Sequence, residues 1–167
     1  MRKLFLTFVA SLLCSIVSFA QTEIWTAQDF INSVGTSGNY KLMADINLGV
    51  LENAAIKSSF SGTFDGNGHT ITYQAQFSTS SPNIGLFGSV SGTIKNLTLN
   101  ASVTISDGGT NWVNVGLLCG TLTGTLENCH ATNCNINSVI ATSNGHGISV
   151  GLLVGKMSGG TLTIPQE

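Results

Sequence analysis

The chain has 167 residues, 42% of them apolar and 8% charged, with 20 glycines and a formal net charge of −2. This describes one domain with enough apolar sequence for a core, and it excludes a chain kept unfolded by its charge. With six lysines and arginines in total, no electrostatic nucleic-acid surface is expected.

In chain order, Arg2 and Lys3 precede an apolar run from Leu4 to Val17, then Ser18-Phe19-Ala20. This predicts a secretory signal peptide over 1–20, cut between Ala20 and Gln21, leaving a single domain over 21–167. The apolar run is short of the roughly 20 residues that span a bilayer. Cys14 follows Leu13, where a lipoprotein signal requires a small residue. The mature chain keeps Lys41, Lys57, Lys95 and Lys156, and no other segment is apolar enough to span a membrane. Export to the extracellular space or cell surface is predicted, with the periplasm as the alternative.

Beyond the cut, Thr26 is placed to cap a short helix carrying Ala27, Phe30, Ile31 and Val34 at helical spacing. Gly35 to Gly38 ends it, and Tyr40 to Leu48 reads as a strand. Asp65-Gly-Asn-Gly68 has the residues of a tight turn; as a calcium loop it lacks a second nearby acid.

Three later segments resemble one another: Ile84-Gly-Leu-Phe-Gly-Ser-Val-Ser-Gly-Thr-Ile-Lys-Asn-Leu97, Val115-Gly-Leu-Leu-Cys-Gly-Thr-Leu-Thr-Gly-Thr-Leu-Glu-Asn-Cys129 and Val150-Gly-Leu-Leu-Val-Gly-Lys-Met-Ser-Gly-Gly-Thr-Leu162. Gly88, Gly120 and Gly155 recur at intervals of 32 and 35 residues, and Ser61-Gly-Thr-Phe64 is a fainter earlier copy. The repeats cover about 84–105, 115–136 and 150–164. Short alternating strands with glycine corners at this period predict an all-β, right-handed parallel β-helix (solenoid) of four or five coils with a short N-terminal helical cap. Leu86, Leu118 and Leu153 should then lie over one another. An antiparallel sandwich shares the strand signals but not the period.

Stacking equivalent residues about 4.8 Å apart would pile up like charges, which gives a reason for neutral Thr, Ser and Asn. Asn96 and Asn128 are predicted to form an inward amide ladder; the sequon Asn96-Leu-Thr98 falls in a strand and is discounted. At the far end Thr161 to Ile164 runs into Pro165 without a cap, leaving an open coil for a further chain or partner.

The repeats, with Tyr40-Lys-Leu-Met-Ala-Asp-Ile-Asn-Leu48 and Phe60-Ser-Gly-Thr-Phe-Asp-Gly-Asn-Gly-His-Thr-Ile71 before them, resemble the GLUG-motif proteins of bacteria. Similar segments occur beside adhesin-like regions and in the non-catalytic N-terminal part of immunoglobulin-A metallopeptidases. The resemblance implies a parallel β-helix and surface display, and brings no catalytic residues with it.

No catalytic, cofactor-binding or metal-binding residue is assigned. His69, His130 and His146 lie in no ligand spacing. Cys119, Cys129 and Cys134 remain after cleavage; the repeat alignment puts Cys119 in the column of Val154 and Cys129 in that of Leu97, as buried small hydrophobes, with one disulfide as the alternative. The pairs Thr70/Thr72, Thr121/Thr123 and Thr161/Thr163 share no repeat phase. The expected function is a non-catalytic secreted or cell-surface module, adhesin-like or a spacer, facing a host protein or carbohydrate surface. An accessory fragment of a larger secreted enzyme is the alternative; a small glycan-active enzyme, needing two facing carboxylates, ranks below it.

Overall fold

The computed structural model describes residues 20–52, 57–78, 81–106, 112–138 and 147–163. Residues 1–19, where the signal peptide is predicted, His146 and Pro165 lie outside them. Strand β1 (Thr22–Ile24) leads into helix α1 (Ala27–Ser33). The amide of Asp29 donates to Thr26 Oγ1 at 3.1 Å, and Asp29 Oδ2 accepts from the Thr26 amide at 2.9 Å, a reciprocal cap that starts the helix. Phe30 and Val34 are buried as their spacing predicts, but Ile31 is 44% exposed. It sits beside the inward stripe, and its carbonyl accepts from Lys57 Nζ at 2.8 Å.

The strands that follow are β2 (Asn39–Leu42), β3 (Ile46–Glu52), β4 (Lys57–Phe60), β5 (Thr63–Asp65), β6 (Thr70–Ser78), β7 (Asn83–Ile84), β8 (Phe87–Val90) and β9 (Thr93–Ser106). Next come β10 (Val113–Gly116), β11 (Cys119–Leu122), β12 (Thr125–Ala131), β13 (Asn135–Ser138), β14 (Ile148–Gly151), β15 (Val154–Met157) and β16 (Thr161–Thr163). They form three sheets: β7-β10-β14, β4-β8-β11-β15, and a large one running β1-β2-β5-β9-β12-β16 with β3, β6 and β13 attached. Every described pairing is parallel, which removes the antiparallel sandwich. No described helix is long and apolar enough to cross a membrane.

From β7 onward the chain visits the three sheets in the same order three times, as β7-β8-β9, β10-β11-β12 and β14-β15-β16, so residues pair with their repeat equivalents. Phe87 pairs with Cys119 and Cys119 with Val154. One residue earlier, Leu86, Leu118 and Leu153 therefore share a column, tied by the amide of Phe87 to the Leu118 carbonyl at 2.9 Å and that of Leu118 to the Leu153 carbonyl at 3.0 Å. A second inward column holds Tyr40, Phe64, Ile94, Leu126 and Leu162. Burying each such side chain is worth about 1.5–3 kcal/mol.

At the first end the interior is aromatic. Phe87 lies 5.1 Å from Phe60 and 6.3 Å from Phe64 between ring centres, while Phe30 of α1 meets Phe64 at 5.8 Å and Phe87 at 6.2 Å. The helix thus places an aromatic plug against the first turns. One corner is lined by Gly38, Gly62, Gly92, Gly124 and Gly160, where amides of Thr63, Thr93, Thr125 and Thr161 donate to the glycine carbonyls of the preceding pass at 2.8–2.9 Å.

Candidate functional site

Three of the acids that look scattered along the sequence, Glu23, Asp65 and Glu127, share one column. Register pairs Glu23 with Lys41, Lys41 with Asp65, Asp65 with Lys95, and Lys95 with Glu127. The sign alternates at every step, so stacking is satisfied by opposite charges as well as by neutral residues. Lys95 Nζ stands 3.5 Å from Asp65 Oδ2. Partial burial alone would raise the Asp65 pKa. The amide of Asn96, the backbone N–H of Asn67 and the Lys95 charge outweigh it and hold the carboxyl below its ordinary range. Lys95→Glu sets three acids in a row and should cost about 1–2 kcal/mol, read as a lower urea midpoint that added salt partly restores.

Beside this column runs the amide ladder. Asn96 Nδ2 donates to Asp65 Oδ1 at 3.0 Å, Asn128 Nδ2 donates to Asn96 Oδ1 at 2.9 Å, and His130 Nε2 lies 3.1 Å from Asn128 Oδ1. The ladder forms, but it does not point inward: Asn96 is half-buried and Asn128 exposed. Both residues occupy a left-handed corner, at φ 52° and 51°, which turns the chain and leaves the amides on its outer edge. Since the Asp65 carboxylate can only accept, it sets the orientation of each amide above it.

Asp65-Gly-Asn-Gly68 is a turn, with Asn67 at φ 52°, Gly68 at φ 81° and the Asn67 amide donating to Asp65 Oδ1 at 2.9 Å. A second acid does stand near it, contrary to the sequence expectation. Asp45 Oδ1 is 3.1 Å from His69 Nδ1 and accepts from the Thr70 amide at 2.9 Å, contacts that hold its pKa low. Residue separation hid this neighbour. Among the described residues no three of His, Cys, Asp and Glu are grouped to hold a metal.

Cys119 and Cys129 occupy the columns of Val154 and Leu97, and both are buried. All three described cysteines are free. Burial pushes the Cys119 thiol up to about 12 and the Cys129 thiol up to about 11. A chain beginning at Gln21 should therefore expose only partly buried Cys134 to a thiol reagent at neutral pH, and all three after denaturation; fast native labelling of Cys119 would contradict the burial.

Thr70/Thr72 and Thr161/Thr163 lie on the large sheet in different columns and Thr121 on the β4-β8-β11-β15 sheet, while Thr63, Thr93, Thr125 and Thr161 form one register column not apparent from those pairs. The broadest outer face belongs to β6, β9 and β13. There Gln74, Ser102 and Asn135 form one column and Gln76, Thr104 and Asn137 the next. A groove of about 260 Å³ lies on the β3 side of this face, lined by Val50, Gln74, Ala75, Gln76, Ser102 and Thr104. A second groove, of about 430 Å³ and largely apolar, lies at the last turn between Cys129 to Ala131 and Leu152 to Val154, with Met157 and Leu162.

These features define an all-β protein of stacked parallel strands with a largely neutral lateral face and an apolar end. Among curated proteins, the chain is similar to Halomucin from Haloquadratum walsbyi, 33% identical over an alignment of 139 positions that covers 67% of this chain and 1% of Halomucin. The chain thus spans about 1% of that relative's length. No family model and no solved structure matches the chain.

Proposed function

We propose that the protein is an exported, non-catalytic module of the cell surface, adhesin-like or a stiff spacer, whose three sheets coil as a right-handed parallel β-helix. The carrying observation is the repeat register, in which Phe87, Cys119 and Val154 lie in one line, and Val115 lies between Ile84 and Val150 in another. Each pass rests on the one before it, which builds a rod with broad lateral faces. The Gly-Leu-x-Gly pattern shared with GLUG-motif proteins and the signal-like start of the chain support the same reading.

The test is labelling of cells that produce the full chain, with an antibody raised to residues 21–163, combined with N-terminal sequencing. Labelled intact cells and a chain starting at Gln21 are expected. Labelling only after lysis, with residues 1–20 retained, overturns the proposal. Glycan or peptide cleavage abolished by Asp65→Ala or Glu127→Ala would overturn its non-catalytic part.

A second reading, an accessory part of a larger secreted assembly, is favoured by the last turn. Val150 is 52%, Leu152 51% and Met157 48% exposed, whereas their column mates Val115, Leu117 and Leu122 are fully buried. A further turn of chain or a partner laid on that end would bury them.

A further inference from the structure

Building on the surface-module reading, we propose that the outer face of β6, β9 and β13 binds an uncharged polysaccharide, seated in the groove beside Val50. Along these strands the outward side chains Thr72, Gln74 and Gln76 lie next to Asn100, Ser102 and Thr104, with Asn135 and Asn137 continuing the last two columns. All are amides or hydroxyls, each able to donate and to accept, and the one acid in register with them among the described residues is Glu52 of β3, at the edge of the column beside Gln76. Strand spacing sets neighbours within a column about 4.8 Å apart, and adjacent columns, two residues along the strands, lie about 6.6 Å apart, so the face is a lattice of hydrogen-bonding groups.

The groove adds an apolar wall. Strand β3 carries a bulge between Asn47 and Val50, where Gly49 at φ 73° donates its amide to Asn47 Oδ1 at 2.9 Å. Bulges re-aim side chains, and here Val50 stands opposite Gln74 and 68% exposed. An exposed aliphatic side chain beside neutral donors and acceptors suits a sugar, which presents C–H surface and hydroxyls together. A protein partner fits less well, because the columns lack the aromatic and arginine anchors that dominate such interfaces. Nucleic acid would need clustered cations, and the described columns of this face carry none; Lys95 of β9 lies outside them, paired with Asp65. A polymer engages several turns at once, so weak contacts at each column multiply into useful avidity.

Calorimetric titration of the full chain with long oligosaccharides of glucose, mannose, xylose and N-acetylglucosamine tests this, with polygalacturonate and heparin as charged probes. Binding of at least one neutral series is expected, weakened about tenfold or more by Gln74→Ala combined with Ser102→Ala, and unchanged by Gln28→Ala on α1. Circular dichroism confirms that each variant keeps its strand signal, and Thr104→Ala serves as a second probe if the double variant fails to fold. The inference is overturned if no neutral series binds at millimolar concentration, if heparin binds equally well, or if the folded variants bind like the native chain. Intact cells that label while the purified chain ignores every neutral sugar overturn this inference alone. A chain that stays inside the cell yet binds them overturns the surface reading instead.

Discussion

Gly92→Ala should produce one of the largest losses of stability that a single added methyl group can cause in this protein. A Cβ at Gly92 would lie 2.0 Å from the Gly62 carbonyl oxygen, 2.5 Å from the Ser61 carbonyl carbon and 2.7 Å from the Gly62 nitrogen. All three are backbone atoms locked into the neighbouring pass, where the Thr93 amide bonds the same Gly62 oxygen at 2.8 Å. No side chain is available to rotate away, so two turns must separate. Overpacking costs about 1–3 kcal/mol where neighbours can yield, and here the loss should reach about 3 kcal/mol or more. Against a typical total of about 5–15 kcal/mol this leaves a chain near its unfolding threshold. Gly68→Ala is the contrast. Its Cβ would meet nothing within 4 Å, and the cost is only that of a left-handed backbone at φ 81°, about 1–2 kcal/mol. Urea midpoints for the two variants decide the matter, and a Gly92→Ala loss no larger than that of Gly68→Ala would refute the corner packing.

The second large effect belongs to Phe87→Ala, expected to cost about 3–5 kcal/mol. Phe87 is fully buried and is the ring on which Phe30, Phe60 and Phe64 converge, so its removal opens a cavity beneath α1 as well as inside the stack. Phe60→Ala made in the same background should add less than its separate effect, because the two share one cavity. Cys119→Ala, one turn further along the same column, should cost far less. Thermal unfolding of the native chain and the four variants checks both statements; equal losses at Phe87 and Cys119 would mean the aromatic end is not the tightly packed part.

Much of this architecture is legible in the residues. The glycine period, the alternation within it and the Thr26 cap anticipate parallel strands, the column of Leu86, Leu118 and Leu153, and the short helix. The substitution of Cys119 for Val154 and Cys129 for Leu97 follows from the alignment of repeats. Ile31 is misplaced because helical spacing locates a stripe only to within one neighbouring residue, and the packing of α1 on the first turn selects its edge. The amide ladder is anticipated in its pairing but not in its direction, which depends on the left-handed corner at Asn96 and Asn128.

The sequence by itself determined the repeat, the neutral composition of the strands and the glycine corners, since these are local requirements that every pass meets separately. Tertiary structure alone decided which residues of different passes meet: the alternating column from Glu23 to Glu127, Asp45 against His69, and Val50 beside Gln74. The reason is that register depends on the lengths of the connections. Asp65 to Thr70 spans two residues more than the matching step from Lys95 to Thr98, yet both ends return to register. Such insertions leave the period nearly unchanged while deciding what lies beside what, and only the paired backbone reveals where they are absorbed.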